Sequence, residues 1–422
     1  MEHRYSVSLD RARCNGCTHC MRVCPTQAIR VRGGHANILE DRCIDCGMCI
    51  SICPRHAKKA DTDPISRIHD YRYPIALPGP EFFGQFAGLK KPETLMQGLL
   101  GVGFADCCEV SLGADILSVR QRQLLERSSR FPLISASCPA VTELIRRDFP
   151  DLLPHILPVE PMEEIAARIA RREFARKTGA EPEEIGIFYI TPCPARATRK
   201  ALHTGMERSN IDAVLSVMDV YGLLSAYKQP QEVNMISRAS YSGLYWSIIG
   251  GESRALGEKE SLAVDGIHDV IQVLEALEDG KFPELRFFEP MACKGGCVGG
   301  CLNFENPFVA QNRVRQLMEG APRATMTSDE ADALLEGDSV LLTRPVTEIP
   351  PQPLDDSFTE AMKKMARINR LTAAFPGLDC GSCGSPTCAL LAEDVVRGNA
   401  TELDCIFRLR QKMREYTKND KS

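Results

Sequence analysis

The sequence predicts an α/β domain at residues 64–342 between two small cysteine-rich modules, residues 1–63 and 356–422, the second reached through a Pro-rich linker at 343–355. Two observations carry this. Apolar runs at 132–137, 185–190 and 213–217 alternate with amphipathic stretches of helical period, the texture of a βα succession. Of 19 cysteines, most fall into sets of four: two sets before Pro64, one spread through the middle, one beyond Pro353.

In the first module Cys14, Cys17, Cys20 and Cys24 precede Pro25, and Cys43, Cys46, Cys49 and Cys53 precede Pro54, an internal repeat offset by 29 residues. Neither copy is long enough to bury a core, and bound metal can replace one in modules of this size. Spacing of the form Cys-x2-Cys-x2-Cys-x3-Cys-Pro is the bacterial ferredoxin run, in which the fourth Cys ligates the other 4Fe–4S cluster. Cys14, Cys17 and Cys20 therefore pair with Cys53, and Cys43, Cys46 and Cys49 with Cys24. Structural zinc is the alternative for such thiols. Ferredoxin clusters relay single electrons, so they imply a redox centre elsewhere in the chain.

The middle domain offers one. The clearest helix there spans 160–178, with Ile165, Ala166, Ile169, Ala170 and Phe174 on one face and Gly179 as its stop. Four cysteines stand far apart, each beside Pro or Gly: Ser137-Cys138-Pro139, Thr191-Pro192-Cys193-Pro194, and Cys293-Lys294-Gly295-Gly296-Cys297. With these, Phe104-Ala105-Asp106, Gly113-Ala114-Asp115, the stretch from Phe149 to Pro154 and Val214-Leu215 resemble the catalytic domain of FeFe hydrogenases over most of residues 75–310. The resemblance implies an α/β hydrogenase-type catalytic domain, flanked by an N-terminal bacterial ferredoxin-like α+β domain and a small C-terminal helical 4Fe–4S domain. It also implies a 4Fe–4S cubane on Cys138, Cys193, Cys293 and Cys297. Cys297 would bridge to a two-iron subcluster carrying CO, cyanide and a dithiolate, inserted by hydrogenase maturation proteins. Glycines around Cys293 and Cys297 admit backbone close to a bulky cluster.

Departures from the family pattern fall around those ligands. Where catalytic members carry a proton-shuttling Cys stands Ser137, whose hydroxyl is far less acidic than a thiol near 8.5. Acidic relay residues after Gly-Ala-Asp are replaced by Arg120 and Gln121, so the relay reads as broken. Thr191 takes the place of a Met, and Arg196 that of a Lys that hydrogen-bonds a cyanide; a planar guanidinium must do so differently. Cys297, Ser137, Arg196 and Thr191 are thus the candidate catalytic positions. Such losses around retained ligands are similar to the sensory branches of the family. Cys380, Cys383, Cys388 and Cys405, spaced Cys-x2-Cys-x4-Cys-x16-Cys, are similar to the small 4Fe–4S domain found in those branches and in some corrinoid and electron-transport proteins, with zinc again the alternative.

Cys107 and Cys108 read as buried thiols, Cys301 as either an extra thiol near the cluster or a packing residue, and His19 and His56 as surface groups. A formal net charge of -5 and a pI near 6.0 provide no basic excess for a phosphate backbone, which excludes nucleic acid as a partner. The N-terminus has no apolar signal region and no apolar run reaches about 18 residues, so the expected location is cytoplasmic, away from membranes. Three functions follow: hydrogen or redox sensing by slow interconversion of hydrogen with protons and electrons, turnover hydrogenase activity coupled to ferredoxin, or a non-catalytic electron-transfer or cluster-assembly role. Expected partners are a redox protein such as ferredoxin, the maturation proteins and a separate signalling protein.

Overall fold

The computed structural model describes residues 5–226, 233–323 and 325–419. Residues 1–4 and 420–422, at the outer ends of the two expected cysteine-rich modules, and 227–232 and 324 in the middle domain lie outside the described residues. The chain divides into two compact units. One comprises Met1–Ser6, Ile44–Gly47 and Ala60–Ile349; the other comprises Val7–Cys43, Met48–Lys59 and Pro350–Ser422.

The larger unit is built on two parallel sheets. In the first, the order is Asp106–Cys107, Tyr73–Pro78, Ile185–Thr191, Ala213–Ser216, with Ile75 opposite Ile187 and Phe188 opposite Ala213. Every residue of Ile185–Thr191 is buried, as expected of a strand covered on both faces. Alternate side chains feed two cores. Ile75, Leu77, Ile187 and Tyr189 pack with Ile116, Ile165 and Ile169; Ala76, Phe188, Ile190 and Leu215 pack with Phe82, Leu99 and Val314. The second sheet runs Ser261–Asp265, Phe287–Met291, Leu133–Ile134, also parallel. The expected strand at 132–137 is thus cut to two residues, because past Ser135 the chain bonds to side chains instead of a ladder: the Ser137 amide donates to Ser135 Oγ at 3.1 Å.

The helix expected at 160–178 forms over Met162–Thr178, and Gly179, at φ 70, closes it by donating its amide to Ala175 at 2.8 Å. Ile165, Ala166 and Ala167 are fully buried on its sheet-facing side. Truncating Ile165 to Ala would cost about 2–5 kcal/mol through the cavity left behind.

In the smaller unit the two ferredoxin copies have matching backbones: Gln27 and His56, 29 residues apart, take φ 52 and 48, and the amides of Ala28 and Ala57 each donate at 3.2 Å to the thiols of Cys24 and Cys53. An antiparallel hairpin, Ile29–Arg32 with His35–Ile38, turns on Gly33 and Gly34, both at positive φ as a tight hairpin turn requires. The helices Phe358–Ala374, Cys388–Val396 and Ile406–Asn419 follow, around a small core of Leu371, Phe375, Leu391, Ala392 and Cys405. Among the described residues no helix is long and apolar enough to cross a membrane.

Candidate metal centre

Three of the four middle cysteines stand just past the carboxyl ends of parallel strands, where open α/β sheets place their ligand sites. Cys138 follows Leu133–Ile134 and caps the helix Pro139–Asp148; Cys193 follows Ile185–Thr191 and caps Pro194–Leu202; Cys293 follows Phe287–Met291. Cys297 opens the single turn Cys297–Gly299. The four converge. Burial, and then the thiols of Cys193, Cys138, Cys301 and Cys297, push the Cys293 thiol well up. Burial also pushes Cys193 up, to about 11, and raises Cys297, where the neighbouring Glu81 carboxyl adds to the effect. Thiols held this far from ionisation are unfavourable as free thiolates, and metal supplies the missing charge compensation. The turn Cys297–Gly299 folds back on the segment that carries Cys293 and needs glycine at 299, where a Cβ would sit 2.0 Å from the Lys294 carbonyl.

Around these sulfurs lies a buried polar shell. Arg196 donates to Glu163 at 2.6 Å, lies over the Tyr189 ring and reaches Cys297 Sγ at 3.9 Å. Thr191, fully buried, donates to Glu81 Oε1 at 3.4 Å, while Glu81 Oε2 and the Tyr189 hydroxyl are buried without a hydrogen-bond partner. Burial raises the Glu81 carboxyl. An orphaned carboxyl oxygen on Glu81, beside Cys297, is what remains when an inorganic group is the natural partner, and the residues present fit one.

Ser137 is where the sequence reading needs correction. Its Oγ donates to Glu252 Oε2 at 3.0 Å, and the same carboxyl accepts from Ser135 Oγ at 2.5 Å and from Gln121 Nε2 at 2.8 Å. An acidic group therefore does stand next to Ser137, supplied from 115 residues away rather than from the helix after Asp115. Arg120 points elsewhere, pairing with Asp332. Behind Glu252 lies Glu289, which accepts from the amides of Gly250 at 2.9 Å and Ser253 at 2.8 Å. Both carboxyls are completely buried; burial, and for Glu289 the Glu252 charge as well, raises them, so the pair favours holding a proton. Glu81, Glu163, Glu252 and Glu289 were missed from sequence, where each is an unremarked acid outside any motif.

In the smaller unit, Cys14, Cys17, Cys20 and Cys53 line one cavity, the grouping that the ferredoxin spacing predicts. Lys58 lines it too, 3% exposed, its Nζ without a hydrogen-bond partner. A buried ammonium facing four thiols fits an anionic cluster. Cys24, Cys43 and Cys49 belong to this unit as well, whereas Cys46 lies in Ile44–Gly47. Cys380, Cys383, Cys388 and Cys405 line a second cavity. Cys301 sits beside Cys293, its Sγ 3.9 Å from the Pro192 carbonyl. Cys107 is buried and Cys108 partly so, burial pushing the first well up and the second to about 12, as befits inert thiols. His19 and His56 are exposed. No three His, Cys, Asp or Glu side chains among the described residues close on a single metal ion.

Parallel strands that end in converging cysteines, beside repeated ferredoxin runs, define an iron–sulfur protein. Comparison with known proteins sharpens the class. The chain belongs to the iron-only hydrogenase large-subunit family, whose C-terminal domain profile matches residues 73–240 and 251–301. A 4Fe–4S dicluster domain matches residues 6–54, and an Fe–S cluster domain residues 375–407. The periplasmic Fe hydrogenase large subunit of Nitratidesulfovibrio vulgaris is 25% identical over 360 residues, covering 70% of this chain and 85% of that one. A cytosolic Fe–S cluster assembly factor of Drosophila grimshawi is 23% identical over 278 residues, 52% of this chain and 57% of its own. Among solved structures, an FeFe-hydrogenase variant from Chlamydomonas reinhardtii superposes with a TM-score of 0.50 at 16% identity, covering 68% of this chain and 94% of that chain, a likeness of fold.

Proposed function

We propose that the chain is a hydrogen-responsive iron–sulfur protein that binds hydrogen, interconverts it slowly with protons and electrons, and reports hydrogen or redox state to a separate protein in the cytoplasm. On this reading residues 1–63 would hold two 4Fe–4S clusters, Cys138, Cys193, Cys293 and Cys297 would hold a cubane together with a two-iron unit, and residues 356–422 would hold a fourth cluster. When bound there, the two-iron unit supplies the chemistry that takes up and splits hydrogen. The observation that carries the reading is the hydroxyl of Ser137, 3.0 Å from a buried carboxyl, beside a converging ligand set. A serine hydroxyl does not ionise near neutral pH, so it can pass a proton to Glu252 only while receiving another; a thiol near 8.5 can do so in separate steps. Arg196 holds fixed positive charge at Cys297, and Glu163 fixes its orientation.

Infrared spectroscopy after maturation, with hydrogen turnover measured on the same sample, tests the proposal. CO and cyanide bands together with slow turnover are expected. Bands with fast turnover would return the turnover enzyme to first place. A second reading is favoured by the matches to Fe–S cluster assembly factors: bands absent from a fully matured sample would support a non-catalytic assembly or electron-transfer protein.

A further inference from the structure

The smaller unit packs its two cysteine-rich modules together with buried charge. Arg30, on the hairpin, places Nε 2.7 Å from Asp394 Oδ2, and Arg32 reaches the same oxygen at 3.0 Å. Arg32 also donates to the Cys383 carbonyl at 2.6 Å and to Ser385 Oγ at 2.7 Å, and Ser385 in turn donates to Asp394 at 2.6 Å. Arg42 pairs with Glu393 at 2.7 Å. Arg30, Ser385 and Asp394 are buried. These contacts satisfy most of the buried charge, leaving Arg30 Nη2 without a partner, and they tie the hairpin directly to the helix that carries Glu393 and Asp394.

That arrangement brings two ligand loops into contact. The Val31 amide donates to the Gly384 carbonyl at 2.8 Å, and Gly384, at φ +77, passes so near that an added Cβ would lie 1.8 Å from the Val31 carbonyl oxygen. Val31 lines the cavity of Cys14, Cys17, Cys20 and Cys53. Gly381, between Cys380 and Cys383, lies against Met21: a Cβ there would fall 2.8 Å from the Met21 methyl. Met21 directly follows Cys20 and is 1% exposed. Both close approaches lead from the C-terminal cysteines to the first ferredoxin set.

We propose that the C-terminal cluster is wired to the ferredoxin cluster of Cys14, Cys17, Cys20 and Cys53 and exchanges single electrons with it. In the step, one reduced 4Fe–4S cluster loses one electron and the other gains it; no bond or proton moves. The C-terminal module is then a third relay centre that lengthens the electron path beyond the ferredoxin pair. The inference rests on the assignment of clusters to these two cysteine sets.

The test is electron paramagnetic resonance of the reduced full-length chain. In Cys49→Ser, which removes the second ferredoxin cluster, the C-terminal cluster should still show spin coupling to the first. In Cys20→Ser, which removes the first, the C-terminal signal should become that of an isolated cluster. A C-terminal signal identical in the two variants would overturn the wiring. Cys388→Ser with unchanged iron content and spectra would instead overturn the C-terminal cluster assignment. Should a ligand variant fold poorly, the unmodified chain decides. The C-terminal cluster should relax at least twice as fast when the ferredoxin clusters are reduced as when they are oxidised, and equal relaxation would refute the proposal.

Discussion

Lys58 should set the two ferredoxin clusters apart in potential. The repeat provides an internal control: 29 residues earlier, at the position equivalent to buried Lys58, stands Ile29, 2% exposed. The Lys58 charge already acts on the set, pulling against burial at Cys20 and helping three backbone amides to hold Cys53 below its ordinary value despite burial. A cation stabilises the reduced, more negative cluster and raises its potential. One unit charge about 6–8 Å away, at an effective dielectric near 20, contributes about 2–3 kcal/mol. For a one-electron couple, at about 59 mV per tenfold change, that is roughly 90–120 mV. Lys58→Ile, which copies the twin position, should therefore lower the potential of the Cys14, Cys17, Cys20 and Cys53 cluster by about 100 mV. Ile29→Lys should raise that of its twin. The assay is a redox titration of the full chain followed by electron paramagnetic resonance, with the other clusters as references. A shift under about 20 mV, well below the Coulomb estimate, or an upward one, would refute the reasoning.

Three further outcomes are expected. Ser137→Cys should raise hydrogen turnover several-fold by supplying an ionisable group, and in that background Gln121→Glu should add to the gain whereas Arg120→Glu should not, since only Gln121 touches Glu252; rates on matured protein decide. Arg196→Lys should shift the cyanide bands in the infrared, because one ammonium replaces a fork that spans Glu163 and Cys297. Burial lifts Glu164 from 4.5 to about 7 against the donors Ser209 and Asn210, so the native state binds its proton more tightly than the unfolded chain. That stabilisation is complete below about pH 4.5 and is lost as pH rises through 7, about 3 kcal/mol for this group, so Glu164→Gln should make the fall in stability between pH 5 and 8 shallower by about that amount, the buried carboxyls of Glu109, Asp115 and Glu289 carrying the rest.

What was legible in the sequence follows from distance along the chain. Cysteine runs such as Cys14 to Cys24 are local patterns, and the grouping of Cys53 with the first three cysteines follows from the ferredoxin spacing, in which the fourth Cys of each run serves the other cluster. The helix Met162–Thr178 was legible because its apolar period and Gly179 stop are contiguous. The partner of Ser137 was not. Glu252 lies 115 residues away, on a short helix, Gly251–Leu256, with no motif around it, and the packing of that helix against the second sheet and against the helix Ser111–Arg127 brings it to the site. Glu163 stands in the first turn of the amphipathic helix, where an acid is common, and nothing local marks it as the partner of the buried Arg196, 33 residues on. Arg120 and Gln121 show the same limit in reverse: adjacent residues on one helix, about 100° apart, meet different partners, and sequence alone did not say which of the two met the site.

On the proposed reading, the hydroxyl of Ser137 and the buried carboxyl pair beside it act together. A carboxyl as deeply buried as Glu252 resists ionisation, and Glu289 behind it, held by two backbone amides, adds a like charge that each must avoid. The pair is therefore most stable sharing at least one proton near neutral pH, which gives Ser137 a neighbour that already holds what a relay would deliver. With a thiol at 137, such a store would pass protons in separate steps; with a hydroxyl, two transfers must coincide, and the barrier rises. Retained ligands then preserve hydrogen binding while proton movement becomes the slow step. That combination favours a long-lived loaded state over rapid cycling, and a long-lived state is what a second protein needs time to read.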